Sequence, residues 1–131
     1  MKKTQYGYQI TTGLSYDDAI AKTTAELKKE GFGVLTEIDM KKTLKRKIDF
    51  DFRRYIILGA CNPQMASAML SEEIEIGLLL PCNVIVYEND DGTATVSFLS
   101  PKLMLEISGR TDLKAHGDQA EDLIRRVAEA M

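Results

Sequence analysis

The 131 residues include 17 basic and 20 acidic side chains, for a net charge of −3, and 44% of them are hydrophobic. This length and composition are ordinary for a single globular domain, which we expect to span residues 1–131. No apolar run approaches the ~20 residues of a membrane span, and the first residues lack the apolar stretch of a signal peptide. These observations predict a soluble cytoplasmic protein with no membrane contact.

The chain begins with a predicted strand and a well-capped helix. Residues 6–14 have the pattern of a strand, and Ser15 then opens a helix through an S-x-x-D capping box with Asp18. Lysines in the last turn suit the helix dipole, and Gly31 is a typical C-terminal stop. Alternating apolar and polar residues over 34–40 predict a second, half-buried strand.

A concentration of positive charge follows that strand. Between Lys41 and Arg54 there are seven basic residues against two acidic ones, a local charge of +5 that leaves −8 for the rest of the chain. Residues 41–49 form either a short helix or a helical loop. The charge marks either a solvated face or an anion-binding surface. If Arg53 and Arg54 are extended, they point in opposite directions, so that one faces solvent while the other clamps an anion or pairs with a carboxylate.

The common chemical motifs are absent. The sequence contains no G-x-G-x-x-G, P-loop, H-E-x-x-H or G-x-S-x-G. A single histidine and two cysteines do not suggest a zinc site, so we assign no metal ligand, and the sequence leaves any cofactor unknown. Apart from Phe50, Phe52 and Tyr55, aromatic residues do not alternate with the basic ones, and nucleic acid is not an expected partner. Whether the protein is an enzyme stays open.

Both cysteines and the densest apolar runs lie in the middle third of the chain. Residues 50–60 predict a strand in the interior of the sheet, because its centre is apolar on both faces. Asn62 is a favourable N-cap with Pro63 at the first helical position, which predicts a small helix over 62–71. A strand over 82–88 follows Pro81, and the sequence N-D-D-G predicts a hairpin.

The remaining elements complete the fold class. Residues 93–100 alternate as a strand, and residues 113–131 carry an apolar stripe at helical spacing. The order is therefore strand, helix, three or four strands and helix, with a small inserted helix. This order predicts an α+β domain in which an antiparallel sheet carries helices on one face.

The two thiols form a candidate site. Cys61 lies one residue before the N-cap of the 62–71 helix, where the helix dipole is expected to lower the pKa of the thiol. Cys82 begins the next strand. If the two strands are neighbours, the sulfurs approach each other and allow a reversible disulfide or a soft-metal site for Cu(I). The alternative is that both are small buried hydrophobic residues.

Two segments of this region resemble a known family. Residues 58–63 read LGACNP and residues 79–88 read LLPCNVIVYE. The pair is similar to the prokaryotic family catalogued as domain of unknown function 302, and the resemblance covers nearly the whole chain. It implies the order strand, helix, four strands, helix in a TATA-binding-protein-like or helix-grip-like fold, and a homodimer, but no reaction. The signature positions of that family fall on Cys61, Asn62, Pro63, Pro81 and Cys82. Residues 41–54 are richer in lysine than the family's pattern.

Three functions remain open from the sequence. The first, which we favour, is a small homodimeric module that binds an unidentified small ligand between the sheet and the C-terminal helix. The second is an interaction protein whose product is the dimer itself. The third is a thiol-based redox or soft-metal-binding protein. The candidate site residues are Cys61, Asn62, Cys82 and Arg54.

Overall fold

The computed structural model describes all 131 residues, and its centre is one six-stranded antiparallel sheet. The strands are β1 (Lys2–Lys3), β2 (Gly7–Ser15), β3 (Gly33–Asp39), β4 (Tyr55–Cys61), β5 (Cys82–Glu88) and β6 (Thr93–Leu99). They lie in the order β1-β2-β6-β5-β4-β3. The strand β4 is therefore interior to the sheet, as its apolar sequence predicts, while β3 forms one edge.

Five α-helices accompany the sheet. They are α1 (Tyr16–Lys29), α2 (Met40–Ile48), α3 (Pro63–Glu72), α4 (Pro101–Glu106) and α5 (Lys114–Ala130). Short 3-10 turns occupy Ile74–Leu79 and Thr111–Leu113. The predicted α+β class is confirmed. The predicted order of strand, helix, four strands and helix is present as β2, α1, β3 to β6 and α5, and the two-residue strand β1, which the sequence did not indicate, is added before it. None of the helices has both the length and the apolar composition that crossing a membrane requires.

The predicted helix starts are confirmed at atomic level. The side chain of Ser15 accepts a hydrogen bond from the backbone N–H of Asp18 at 3.2 Å, and that of Asn62 accepts one from Met65 at 3.3 Å. Each bond satisfies an N–H group that has no partner inside the helix. Pro63 occupies the first turn of α3, where its missing N–H costs nothing.

The main core lies between the sheet and the helices α1 and α5. Its sixteen buried residues are Phe32, the strand residues Tyr8, Ile56, Leu58, Ala60, Val84, Val86, Ala94, Val96 and Phe98, and the helix residues Tyr16, Ala19, Leu27, Ile124, Val127 and Ala128. Burying a large apolar side chain stabilises a fold by about 1.5–3 kcal/mol. A satellite cluster of Met69, Ile76, Leu105 and Leu113 joins α3 and α4 to the start of α5.

Two details differ from the sequence-based expectations. The strand predicted over 50–60 begins only at Tyr55, because its neighbours end there: Tyr55 pairs with Tyr87 near the end of β5, and Asp39 is the last residue of β3. Residues 50–53 therefore have no partner strand, and Arg54 makes one last backbone contact, in which its carbonyl accepts from the N–H of Glu88 at 3.0 Å. In addition, α4 follows β6, where the sequence indicated only a strand end; Ser100 caps it by accepting from the N–H of Leu103 at 3.1 Å.

The carboxylate of Glu121 ties α5 to the sheet and to α4. One oxygen accepts from the hydroxyl of Ser100 at 2.5 Å, and the other accepts from the hydroxyl of Tyr8 at 3.1 Å. Burial, and then the nearby Glu121 charge, raise the pKa of Tyr8, so this hydroxyl remains a donor. Hydrogen bonds to a charged group are stronger than neutral ones, so this cluster fixes α5 against β2.

We predict that Glu121→Ala lowers the free energy of unfolding by roughly 2 kcal/mol, because two hydroxyl donors lose a charged acceptor. Urea unfolding followed by circular dichroism measures the change. The control is Glu129→Ala, which removes an exposed carboxylate 3.9 Å from Arg125 and should change stability by no more than about 0.5 kcal/mol. Equal effects of the two substitutions would contradict the role given to Glu121.

Candidate functional site

The predicted thiol site lies at one end of the central strands. The strands β4 and β5 are neighbours, and Cys82 pairs with Ala60, the residue before Cys61. Successive side chains of a strand point to opposite faces. Cys82 therefore shares the helix-covered face with the buried Ala60, whereas Cys61 belongs to the other face. Both cysteines are free thiols.

The thiols are not activated. Burial raises the pKa of Cys61, so the lowered pKa expected from the neighbouring helix terminus is wrong in direction. Burial also raises the pKa of Cys82 to about 11, with a smaller contribution from Cys61. No group of three or more histidine, cysteine, aspartate or glutamate side chains is arranged to hold a metal ion. The arrangement gives the redox or soft-metal hypothesis no support, and that hypothesis stays a prediction.

The family-like segments around these cysteines make close structural contacts. A Cβ atom added to Gly59 would lie 2.7 Å from Cγ of Pro81 and would collide with the hydroxyl of Thr36. The amide of Asn62 caps α3 and also approaches Gly31, where an added Cβ would meet it at 3.0 Å. These residues bring three segments together at the end of the sheet. Close packing is therefore enough to explain why glycine, asparagine and proline occupy these positions.

The space between the sheet and α5, where the sequence suggested a ligand, is filled by the main core. A hollow of about 220 Å³ opens at the sheet edge beside Glu121, but the carboxylate of that residue already binds Tyr8 and Ser100. The largest cleft, of about 770 Å³, lies elsewhere. Its volume is within the range of small-molecule sites, roughly 300–1,000 Å³.

This basic cleft lies at the end of β4 opposite the cysteines and includes Arg54. Its basic side chains are Lys41, Lys42, Lys45, Arg46 and Arg54. Its other lining residues are the acidic Asp17, Asp39 and Asp51 and the aromatic Tyr16, Phe50 and Phe52. Cys61 lies seven residues after Arg54 along the extended chain, at about 3.4 Å per residue. The structure thus places Arg54 apart from Cys61, Asn62 and Cys82.

Arg54 forms one wall of the cleft. Its guanidinium lies over the ring of Tyr16, 4.6 Å from the centroid, and is 3.3 Å from the carboxylate of Glu88 and 3.6 Å from that of Asp17. Its buried Nε has no hydrogen-bond partner. Burial, followed by the charge of Asp39, raises the pKa of Tyr16 to about 12, so Tyr16 stays neutral. Arg54 therefore pairs with carboxylates, one of the two roles expected from the sequence.

The helix α2 forms the opposite wall. Lys45 is occupied by ion pairs with Asp49 at 2.7 Å and Asp51 at 3.0 Å. Lys42 and Arg46 line the cleft four residues apart, on the same face of the helix. Neither has a carboxylate oxygen within 4.0 Å of its charged group. These two cations are available to an anion that enters the cleft.

Sequence reasoning missed the individual residues of this cleft. The charge run 41–54 was a visible signal, but it did not distinguish Lys42 and Arg46 from their neighbours. Helical spacing of four residues would have placed them together once residues 41–49 were assigned to a helix. Nothing in the sequence indicated that Tyr16 would lie beneath Arg54.

Comparison with known proteins agrees with this fold. The family model described as domain of unknown function DUF302 matches residues 8–131. The chain is also similar to the crystal structure of an uncharacterized conserved DUF302 protein from Bacillus stearothermophilus, with 27% sequence identity and a TM-score of 0.88 over 97% of this chain and 98% of that chain. No curated protein matches. The chain belongs to the DUF302 family, as its two cysteine-containing segments suggested.

We predict slow alkylation of both thiols by iodoacetamide, because only the thiolate reacts and burial keeps it scarce near a pH of about 8. Cys61, which is half-buried, should react before the buried Cys82. Peptide mapping by mass spectrometry, with urea-unfolded protein as the control, measures both rates. Native labelling of Cys82 as fast as in urea would contradict the burial described here.

The raised pKa of Cys82 also predicts the direction of a pH effect on stability. The pKa is about 11 in the folded protein, against an ordinary value of 9.0. The unfolded chain loses the Cys82 proton at a lower pH than the folded protein does. The stability that follows from this difference in pKa is present in full below a pH of about 9 and is lost as the pH rises through about 11. The stability of Cys82→Ala should therefore fall less steeply over this range than that of the original protein in urea unfolding. Parallel curves would contradict the assignment.

Proposed function

We propose that this protein is a binding module for a small organic anion, held in the basic cleft between α2 and Arg54, and that it acts as a homodimer. The observation that carries the ligand proposal is the pair of unpaired cations, Lys42 and Arg46, on one wall of a cleft of about 770 Å³. The chain as a whole has a net charge of −3, so this local positive charge is not a general property of its surface.

The helix α2 has no evident structural purpose that would explain these charges. None of its residues is buried, so it adds little to the hydrophobic core. Like charges four residues apart on a helix destabilise it by about 0.2–0.5 kcal/mol. A short helix that contributes no core residue and carries unneutralised charge is better explained by what it binds than by what it stabilises.

The local structure holds α2 in place for this role. The side chain of Asp39 caps the helix by accepting from the N–H of Lys42 at 2.9 Å. At the other end Asp49 has a left-handed backbone with φ of 53°, and its N–H donates to the carbonyl of Lys45 at 3.0 Å. Lys41 reaches across to the carbonyl of Phe52 at 2.8 Å. The cationic wall is therefore positioned before any ligand arrives, which lowers the entropic cost of binding.

We predict that inorganic pyrophosphate binds to the protein in isothermal titration calorimetry. Lys42→Gln and Arg46→Gln should each weaken binding about fivefold, the loss of an exposed ion pair of about 1 kcal/mol. Raising the ionic strength from about 0.1 M to about 1 M should weaken it further, because the screening length falls from about 10 Å to about 3 Å.

The matched control is Lys28→Gln, which removes an exposed lysine at the end of α1, outside the cleft. It should bind pyrophosphate like the original protein. The anion-binding proposal fails if millimolar pyrophosphate gives no heat of binding, or if Lys28→Gln weakens binding as much as Arg46→Gln does.

The homodimer is supported by the family resemblance and by an apolar groove on the other side of the molecule. This groove is lined by Leu78, Leu79, Leu80, Pro81, Asn83, Leu99, Met104 and Ile107. Leu78 and Ile107 are 83% and 73% exposed. A two-fold interface sets a patch against its own copy, so charges near the axis would repel their own copies. A groove without charged residues fits a second copy of the chain.

We predict that the protein elutes with the mass of two chains in size-exclusion chromatography with light scattering at micromolar concentration. Leu78→Glu should convert it to a monomer, because two buried carboxylates would face each other across the two-fold axis. The control, Leu35→Glu, places the same charge at a 66% exposed leucine on β3 and should leave the dimer intact. A monomeric original protein would remove the homodimer proposal.

A further inference from the structure

We infer that the anion bound in the basic cleft carries an aromatic ring or a similarly flat, unsaturated ring beside its charged group. This inference rests on the proposed function, since it specifies the ligand of the same cleft. It is carried by a second set of observations, the aromatic side chains that the cleft exposes next to its cations.

Two phenylalanines line the cleft instead of entering the core. Phe50 and Phe52 lie in the segment between α2 and β4, and Phe50 is 49% exposed. A phenylalanine is among the side chains that gain most from complete burial, and neither ring belongs to either hydrophobic cluster of the protein. The exposed ring surface is therefore available to a ligand.

The rings form a row that leaves one end free. Tyr55 stacks on Tyr87 with ring centroids 5.7 Å apart, Phe52 packs on Tyr55 at 5.7 Å, and Phe50 follows Phe52 at 6.1 Å. Phe52 thus has an aromatic neighbour on each side, whereas Phe50 has one. Aromatic rings attract one another in offset or tilted arrangements at these separations. A ligand ring placed beside Phe50 would extend the row by one member.

The charged groups of the cleft indicate where each end of the ligand would bind. Lys45 and Asp51 pair with each other at 3.0 Å, Asp39 is engaged in capping α2, and Asp17 lies 3.6 Å from Arg54. The cations Lys41, Lys42 and Arg46 have no ion-pair partner, and of these Lys41 already donates to the carbonyl of Phe52 at 2.8 Å. The anionic group of the ligand therefore belongs on the α2 wall, and its ring belongs against Phe50.

The test compares probes that share one anionic group. Phenyl phosphate and methyl phosphate carry the same charge but only the first has a ring, and phenol has the ring without the charge. In isothermal titration calorimetry we expect phenyl phosphate to bind roughly tenfold more tightly than methyl phosphate, the scale of a ring-stacking contact with its buried area. Phenol should bind more weakly than either.

Variants assign this difference to the row of rings. Phe50→Leu keeps an apolar side chain but removes the ring, so it should abolish the preference for phenyl phosphate over methyl phosphate. Arg46→Gln should weaken both phosphates by the same factor. The control is Tyr6→Leu, which removes a 66% exposed aromatic ring outside the cleft and should leave the preference intact. Thermal unfolding of each variant confirms that it is folded.

The outcomes separate this inference from the proposed function. Equal binding of the two phosphates, both weakened by Arg46→Gln, would overturn the aromatic ligand and leave the anion-binding module standing. Failure of pyrophosphate and both phosphates to bind would overturn both. A preference for phenyl phosphate that survives Phe50→Leu would also overturn the inference. Much tighter binding of a single-stranded oligothymidylate than of phenyl phosphate would overturn the inference as well, because the cleft would then be a binding site for a nucleic acid.

Discussion

The pairing of β4 with β3 on one side and β5 on the other is the constraint on which the rest of the molecule depends. It buries Leu58 and Ala60 beneath the helices and fixes what lies at each end of the strand. At one end it places Cys61 and Cys82 on neighbouring strands, at the same end of the sheet but on opposite faces. At the other end it leaves residues 50–53 without partner strands, and Phe50, Asp51 and Phe52 of that segment line the basic cleft.

The elements that could be predicted from the sequence are those with a local signal. Ser15 and Asn62 cap helices through contacts with residues three positions away, so the residues that determine each start are adjacent in the sequence. The start of β4 was predicted wrongly for the opposite reason. Phe50 and Phe52 alternate as a strand does, but whether alternation becomes a strand depends on neighbouring strands, which end at Asp39 and Glu88.

The candidate site could be predicted only in part, because its walls are assembled by the sheet. Arg54 was selected from the sequence for its position before a strand, and it does line the cleft. Its contact with Tyr16 joins the start of α1 to the start of β4, a neighbourhood that no local pattern encodes. For the thiols, the sequence left a reactive pair and two small buried residues as alternatives, because strand neighbours and burial depend on the whole sheet; in the structure burial raises the pKa of both cysteines.

These two ends of the sheet differ in how strongly the fold constrains their residues. The segments that resemble the DUF302 family surround Gly59, Asn62 and Pro81, where close contacts fix the fold. Such contacts would be required whatever the protein binds. The basic cleft, in contrast, is built partly from α2, which contributes no fully buried residue and where substitutions should cost little stability. The contacts that fix the fold are therefore separate from the residues that line the cleft, so the family's fold does not by itself determine the function of this chain.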